Sequence, residues 1–245
     1  MSRDTPAVFA SVRVWLFDFD NTIAALEPKV DWAASRIELE AFLRREGVSN
    51  QIFSAFPKGN LPLYDALHGR LLGPSRSPET VGPGPGRSNP LELLRQASTI
   101  IEAYELRGAA QAEPLPGAIE LLRELSARDL QVLIVTSNSS RTVGRWLERF
   151  GLTSSISAVI GRDAMLPLKP APNMIELALD RARCSAHDAC FVGDSEADGI
   201  AAAGSAVRLF GIASDPSKRA RLLACGALEV FDSPAEMMAR RILLS

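Results

Sequence analysis

The chain has 245 residues, of which 47% are apolar and 23% are charged, and its formal net charge is −2. This size accommodates one large domain, or a core with a smaller inserted domain. The nearly neutral charge gives no reason to expect binding to nucleic acid or to an anionic membrane surface. No apolar run reaches the roughly 18 residues of a membrane span, and Arg13 interrupts the first one, so we expect neither a transmembrane helix nor a signal peptide.

The three cysteines, Cys184, Cys190 and Cys225, are odd in number and lack a C-x-x-C spacing. Such a set favours reduced, partly buried thiols over a disulfide framework or a zinc site, so we expect a soluble, cytoplasmic protein. We also expect it to be a monomer or a homodimer.

The amino-terminal part of the chain contains one predicted strand, followed by a long helical region. Residues 12–17 (VRVWLF) are β-branched and aromatic, which is typical of a buried strand. The segments 31–46, 61–72 and 90–107 have helical patterns, and none of them offers a convincing strand. Residues 73–89, rich in Gly, Pro and Ser, cannot bury a core and predict a flexible loop.

Strand and helix patterns alternate over the carboxyl-terminal half. Strands are predicted at 131–135, 158–160, 189–192 and 206–210, and helices at 117–128, 142–150, 172–183 and 197–203. Such alternation predicts a parallel sheet with helices on both faces. The simplest arrangement is an α/β core of residues 1–23 and 114–245 with an all-α cap domain, residues 24–113, inserted after the first strand. Its two short connections suit hinge-like closure.

Two carboxylates, Asp18 and Asp20, follow the first predicted strand. Carboxylates this close repel each other unless a proton or a cation lies between them, and their hard oxygen atoms suit Mg²⁺. With a metal bound, Asp18 could attack phosphorus, while Asp20 could protonate the leaving oxygen and later deprotonate a water. For this pair alone, a strand-end turn with surface acids is the alternative.

A hydroxyl-rich turn and a lysine follow later in the chain. Thr136 ends the strand predicted at 131–135, and with Ser137 and Asn138 it offers a hydroxyl and amides that can hold a phosphate. An ordinary helix N-cap would have the same composition. Lys169 is one of four lysines in an arginine-rich chain. Its ammonium suits the neutralisation of a phosphoryl group and an aspartate together, although a solvated loop lysine is the alternative.

A second acidic pair follows the strand predicted at 189–192. Asp194 could ligate the metal directly, and Asp198, with Ser195, could support the site from one helical turn further on. The alternative is an N-capped helix with acids near its positive end.

These four ordered motifs resemble those of the haloacid dehalogenase superfamily, in its phosphoglycolate phosphatase-like branch. The resemblance rests on residues 14–22 (VWLFDFDNT), Thr136, Lys169 and Pro170 with Pro172, and residues 192–195 with Asp198. It implies a Rossmann-like parallel-sheet core with an inserted all-α cap domain. It also implies the residue roles: Asp18 as nucleophile and metal ligand, Asp20 as acid/base and metal ligand through its carbonyl, Thr136 as phosphate-binding residue, Lys169 as charge neutraliser, Asp194 as metal ligand and Asp198 as supporting acid.

One position departs from the family pattern, since Asn21 stands where many relatives carry Gly. Asn tolerates the left-handed region, so we expect the turn to be kept. Elsewhere, residues 218–221 are interpreted as a solvated helix face, and His68 as a core or surface residue without a functional partner.

The motifs together predict a Mg²⁺-dependent phosphatase that hydrolyses a small phosphorylated metabolite through an aspartyl-phosphate. A phosphomutase of the same superfamily is the main alternative, because it would use the same core residues. A phosphonatase would need a cap lysine, for which Lys29 and Lys58 are the candidates. The dehalogenase relatives lack the second aspartate, and a non-catalytic binding protein would be natural only if a motif residue were missing.

Overall fold

The structure, a computed structural model, describes residues 12–73 and 89–240. Within them, six parallel strands form one sheet in the order β3-β2-β1-β4-β5-β6. The strands are β1 (Val14–Phe17), β2 (Gln131–Val135), β3 (Ala158–Ile160), β4 (Ala189–Gly193), β5 (Arg208–Ile212) and β6 (Glu229–Phe231). The predicted α/β class with a Rossmann-like parallel sheet is confirmed.

Helices separate β1 from the other strands and then alternate with them. The helices before β2 are α1 (Trp32–Arg45), α2 (Asn50–Ala55), α3 (Asn60–Leu72), α4 (Pro90–Ala109) and α5 (Ala118–Ala127). Those after β2 are α6 (Ser140–Arg149), α7 (Asn173–Ala182), α8 (Glu196–Gly204), α9 (Pro216–Ala224) and α10 (Pro234–Ala239). Across the described ranges, none of the helices is both long and apolar enough to cross a bilayer.

Every residue of β1 and β4 is buried, because helices cover both faces of the sheet at its centre. Val14 and Leu16 of β1 pack into one apolar cluster, while the alternate residues Trp15 and Phe17 pack into a second one. This alternation follows from the two-residue period of a strand. A strand buried on both sides reads as a continuous apolar run, which is why the sequence revealed β1, β2 and β4.

The segment between β1 and α5 leaves and rejoins the sheet through two connections that lie side by side. The Ala25 N–H donates to the Glu113 carbonyl at 2.9 Å, and the Leu115 N–H donates to the Ile23 carbonyl at 2.9 Å. The first turn after β1 contains Asn21 at φ +57°, in the left-handed region that an asparagine was expected to tolerate. The division into a core and a cap domain stays a prediction.

The structure differs from the predicted elements in a few places. The strand predicted at 206–210 begins only at Arg208, because Ala206 has φ +56° and the Val207 N–H still bonds to the Ala202 carbonyl of α8. Helix α2 and strand β6 were not predicted individually, since neither is long enough to show a clear period. Apart from its two end residues, the loop predicted at 73–89 lies outside the described residues.

Two glycine-to-alanine substitutions test the packing. Gly117 precedes α5 with φ +80°, and an added Cβ would lie 2.5 Å from the Ala235 backbone. We expect Gly117→Ala to lower the free energy of unfolding by about 2 kcal/mol or more, because it combines a left-handed backbone with a steric clash. As the control, Gly144 lies within α6, where an added Cβ would meet no neighbouring atom within 4 Å. Gly144→Ala should stabilise by about 0.5–1 kcal/mol.

Urea unfolding of the two variants beside the wild type measures both effects. Equal stabilities for the two variants would contradict the close approach of Ala235 to Gly117.

Candidate active site

The predicted site residues of three loops meet at the carboxyl edge of the sheet, beyond β1 and β4. The Lys169 Nζ atom lies 2.5 Å from Asp18 Oδ1 and 2.6 Å from Asp198 Oδ1. The side chain of Lys169 is only 5% exposed, so this ammonium is largely removed from water. In open α/β sheets, ligands bind in the crevice at this edge, where the strand order changes direction.

Asp18 is held in place by the sheet itself. Its N–H donates to the Val192 carbonyl at 2.8 Å, which extends the β1–β4 pairing by one residue beyond the strand. Burial raises the pKa of Asp18 to about 8, and the Asp198 and Asp194 carboxylates add to this rise, whereas the Lys169 ammonium opposes it. Asp18 is thus a buried carboxylate that lies near two other acids and contacts the Lys169 ammonium.

The charge on Lys169 is maintained by its two acidic partners. Burial alone would lower the pKa of Lys169, but Asp18 and Asp198 outweigh this effect and hold the pKa above its ordinary value. Lys169 therefore provides a fixed positive charge beside Asp18.

Asp20 faces the turn that follows β1 rather than the Lys169 cluster. Its Oδ1 atom accepts hydrogen bonds from the Leu26 N–H at 3.0 Å and the Glu27 N–H at 2.9 Å. Burial raises the pKa of Asp20 to about 6, while these two hydrogen bonds oppose the rise. The carboxyl group is thus anchored through one oxygen, an arrangement compatible with giving and taking a proton.

The loop after β4 is organised around Asp198. Its Oδ2 atom accepts from the Asp194 N–H at 3.1 Å, the Ser195 N–H at 3.0 Å and the Ser195 hydroxyl at 2.7 Å, and Ser195 caps α8 in return. A Cβ on Gly193 would lie 2.6 Å from the Asp198 side chain, so glycine is required there. Asp198 therefore orients the Asp194 loop with one oxygen and Lys169 with the other.

The chemistry of the donor set fits a divalent metal ion. Single carboxylate oxygens of Asp18, Asp194 and Asp198, all buried residues, lie within 4.8 Å of one another. Carboxylate oxygens are the ligands that Mg²⁺ prefers. The Asp198 oxygens are both engaged by hydrogen bonds, which leaves Asp18 and Asp194 as the better ligand candidates. The Asp20 carboxylate lies outside this cluster, as expected if that residue ligates through its carbonyl.

The strand β2 is a neighbour of β1 in the sheet, and the turn that follows it is largely buried. The Thr136 N–H donates to the Ile160 carbonyl at 2.9 Å, which fixes the residue one position beyond the end of β2. The Thr136 hydroxyl donates to Asn138 Oδ1 at 3.0 Å and accepts from the Asn138 N–H at 3.1 Å. Ser137 is the partly exposed residue of the turn, whereas the Asn138 side chain points inward.

Sequence reasoning missed Lys218 as a site residue. Residues 218–221 do form a solvated helix face, since the Lys218 side chain is 40% exposed, but Lys218 Nζ also lies 2.5 Å from Asp194 Oδ2. Asp194 is buried, and burial raises its pKa, while Lys218 opposes the rise. The scarcity of lysine, which drew attention to Lys169, was the available signal for Lys218 too.

A buried acidic residue of α4 was missed as well. Glu105 has no exposed surface and contacts Asn138, although it belongs to the region predicted as the cap. It lies in helical phase with the buried residues Leu94, Ser98 and Ile101, so an acid within an apolar stripe was the available signal. His68 is buried, as one of its two expected roles required, and its Nε2 atom lies 3.0 Å from the Met165 carbonyl oxygen.

The family of the chain follows from comparison with known sequences. The sequence model of one family, described as haloacid dehalogenase-like hydrolase, matches residues 86–212, more than half of the chain. The chain belongs to the haloacid dehalogenase-like hydrolases. The match includes Thr136, Lys169 and Asp194 but begins after Asp18. The assignment of Asp18 to the site therefore rests on its contact with Lys169.

Several relatives that the chain matches are named phosphoglycolate phosphatase. A phosphoglycolate phosphatase from Rhodospirillum rubrum is 33% identical over 128 residues, which cover 52% of this chain and 53% of that protein. The chain thus spans about half the length of that relative and of several others. A phosphoglycolate phosphatase from Photobacterium profundum is 25% identical over 207 residues, 83% of this chain and 84% of that protein.

A solved structure extends the agreement to the whole fold. A hydrolase from Pseudomonas syringae superposes with a TM-score of 0.62 at 22% identity, and the match covers 95% of this chain and 99% of that chain. At this identity the similarity shows a shared fold.

Replacement of Lys169 tests the charge balance of the cluster. Lys169→Met leaves the buried carboxylates of Asp18 and Asp198 without their ammonium. We expect the metal-free protein to lose about 3 kcal/mol of stability, because removing one partner of a buried pair leaves uncompensated charge. The control is Arg219→Met, which removes a surface pair with Asp232 and should cost less than about 1 kcal/mol.

Chemical unfolding in the presence of EDTA measures both variants against the wild type. A Lys169→Met variant no less stable than Arg219→Met would show that the Lys169 contacts contribute nothing to charge balance.

Proposed function

We propose that this protein is a Mg²⁺-dependent phosphatase that hydrolyses a small organic phosphate monoester through an aspartyl-phosphate. The observation that carries the proposal is the contact of the Lys169 ammonium with both Asp18 and Asp198 at the end of β1. A carboxylate beside a fixed buried cation can receive a phosphoryl group, since the cation offsets the charge of the approaching phosphate. Membership of the haloacid dehalogenase-like hydrolases supports the same chemistry.

The proposed first step is phosphoryl transfer to Asp18. A carboxylate oxygen of Asp18 forms a bond to phosphorus, the bond from phosphorus to the ester oxygen breaks, and Asp20 gives its proton to that leaving oxygen. Lys169 would offset negative charge near the transferred group, a role that its contact with Asp18 supports. Thr136, at the end of the strand next to β1, and the partly exposed Ser137 would hold the remaining phosphate oxygens.

The second step is hydrolysis of the aspartyl-phosphate. Asp20, now ionised, takes a proton from a water molecule whose oxygen attacks phosphorus, and the bond from phosphorus to the Asp18 oxygen breaks. Inorganic phosphate leaves, and Asp20 regains its proton for the next cycle. The contacts of Asp20 with Leu26 and Glu27 keep its carboxyl group oriented in both steps.

The Mg²⁺ would be held by the carboxylates of Asp18 and Asp194 and by the main-chain carbonyl of Asp20. When bound, it supplies positive charge that offsets the phosphate oxygens and orients them toward the nucleophile. Asp198 keeps the Asp194 loop in shape through its contact with the Asp194 N–H. The Lys218 ammonium contacts Asp194 Oδ2, so it competes with a metal for this carboxylate.

We propose a small phosphorylated metabolite as the substrate, with residues 24–113 acting as a cap over the site. The relatives named phosphoglycolate phosphatase make phosphoglycolate the first compound to assay. The free cysteines agree with an enzyme that works in the reducing cytoplasm, as a monomer or a homodimer.

Replacement of the proposed nucleophile tests the function directly. In a screen of phosphorylated metabolites with Mg²⁺, the wild type should release inorganic phosphate from at least one small ester. Asp18→Asn should retain the fold but lose activity by about 10³-fold or more, because the amide cannot attack phosphorus. As a matched control, Asp163→Asn changes an acid that bonds Ser140 away from the Lys169 cluster and should stay within about threefold of wild type.

The product distinguishes hydrolysis from a mutase reaction. A phosphomutase would convert one sugar phosphate isomer into another without releasing inorganic phosphate. Residual activity of Asp18→Asn above about 1% would remove Asp18 from the nucleophilic role.

The metal assignment is tested by thermal stability rather than by turnover. After EDTA treatment, added Mg²⁺ should raise the melting temperature of the wild type. It should do so more strongly in Lys218→Met, because the metal no longer competes with an ammonium for Asp194. The control Arg221→Met changes a surface arginine of the same helix, which pairs with Glu196 at 3.3 Å, and should respond as the wild type does.

Differential scanning fluorimetry over a Mg²⁺ titration measures these shifts. The absence of any Mg²⁺-dependent shift in the wild type would contradict a metal site at Asp18 and Asp194.

A further inference from the structure

A fully buried ion pair joins helix α4 to the loop after β3. The Arg162 guanidinium donates to Glu105 Oε1 at 2.8 Å and to Glu105 Oε2 at 3.0 Å. Both side chains have no exposed surface. Burial alone would lower the pKa of Arg162, but Glu105 outweighs this effect and holds the pKa above its ordinary value. The two residues therefore form a bidentate, charged pair inside the protein.

Arg162 donates its other hydrogen atoms both to α4 and to the turn after β2. It donates through Nε to the Ser98 hydroxyl at 3.0 Å and through its second terminal nitrogen to the Ser98 carbonyl at 3.2 Å, both on α4. It also donates to the Ser137 carbonyl at 2.9 Å, in the turn after β2. One side chain thus connects α4 with the turn proposed to hold phosphate.

Glu105 reaches the same turn from the other direction. Its Oε1 atom accepts from Asn138 Nδ2 at 3.0 Å, and its Oε2 atom accepts from the Ser139 N–H at 3.2 Å. The Thr142 hydroxyl donates to Oε2 as well, at 3.4 Å. The carboxylate therefore occupies the amino-terminal end of α6, where a negative charge is stabilised by the helix.

The contact with Glu105 fixes which way the Asn138 amide points. Because Nδ2 donates to Glu105, Oδ1 must face the opposite side, where it accepts the Thr136 hydroxyl at 3.0 Å. The Asn138 N–H donates to the same hydroxyl oxygen at 3.1 Å. The Thr136 hydroxyl oxygen is thus held by the Asn138 N–H, while its single hydrogen goes to Asn138 Oδ1, so a bound phosphate has to replace Oδ1 as the acceptor of that hydrogen. The orientation of Asn138 is set by Glu105.

A buried ion pair is not needed to hold two elements together. Apolar side chains of similar volume are often as stable as a buried pair, because both charges lose their hydration. A charged pair with defined hydrogen bonds instead selects one orientation of its neighbours. At this position the neighbours are Ser137 and Asn138, the two residues that follow Thr136 in the chain.

We propose that Glu105 and Arg162 are positioning residues that hold the Thr136 hydroxyl in place for phosphate through Asn138. The inference rests on the proposed function, since it assigns Thr136 to the phosphate. Phosphate binding in the core is then coupled to the docking of α4. Any closing movement of the cap has to leave α4 attached to the core, because separating the pair would expose a buried charge on each side.

The test replaces the pair by apolar residues of similar length. Glu105→Met with Arg162→Met removes both charges together, so neither is left uncompensated. In the Mg²⁺-loaded protein, we expect the dissociation constant for inorganic phosphate, measured by calorimetry, to rise about tenfold, as for the loss of one charge-assisted hydrogen bond. The matched control is Ser98→Ala, which removes a contact of Arg162 from the same buried cluster but none with Asn138. Its constant should stay within about twofold of the wild type.

A double-mutant cycle with Thr136→Val separates positioning from general loosening of the structure. If Glu105 and Arg162 act through the Thr136 hydroxyl, the double variant Glu105→Met/Arg162→Met should change phosphate affinity less than about twofold in the Thr136→Val background. A full tenfold change in that background, or no change in the wild-type background, would overturn the inference. If that double variant does not fold, Glu105→Gln takes its place in the same cycle, because it keeps the side-chain shape but replaces one of the two accepting oxygens, and the same non-additivity is expected.

The wild-type measurements keep the two proposals apart. A wild type that neither binds inorganic phosphate nor hydrolyses any ester would overturn the proposed function and the inference with it. If the wild type does both and the double variant Glu105→Met/Arg162→Met binds phosphate equally well, the inference alone is overturned.

Discussion

The crowding of carboxylates at one edge of the sheet is the constraint on which the rest of the site depends. The ends of β1 and β4 and the first turn of α8 bring single carboxylate oxygens of Asp18, Asp194 and Asp198 within 4.8 Å of one another. Buried like charges this close repel strongly, so a proton or a cation must lie among them. Lys169 and Lys218 provide two cations, and a divalent metal would complete the balance. The fold thus gathers buried carboxylates and two ammonium groups at one edge of the sheet.

A second buried cluster, the Glu105–Arg162 pair, lies next to this site and balances its charge internally. Its members come from α4 and from the loop after β3, and it contacts the turn after β2. Further contacts join the inserted helices to the loop that leads to Lys169, since the Leu168 N–H donates to Asp65 Oδ1 at 2.8 Å. The two loops that carry Thr136 and Lys169 are therefore both held by helices of the segment between β1 and α5.

Prediction from the sequence worked where a local pattern determines the outcome. The apolar runs of β1, β2 and β4 indicated buried strands, and the polar residues that follow them indicated the carboxyl edge of a parallel sheet. The start of β5 was misplaced because a left-handed Ala206 prolongs the end of α8. Lys218 was missed because nothing in the pattern of residues 216–221 shows that the ammonium of this partly exposed side chain reaches Asp194. Glu105 was missed because its partners lie 33 and 57 residues further along the chain.

The sequence by itself determined the fold class and the candidate residues at the ends of the strands. It could do so because strand and helix periods are local, and because parallel strands necessarily present their carboxyl ends at one edge. Only the tertiary structure decided which charges meet. The contact of Lys169 with Asp18 spans 151 residues of chain, and the contacts of Lys218 and Arg162 likewise join separate elements. An electrostatic interaction depends on distance in space and on burial, and neither quantity is written in the spacing of residues along the chain.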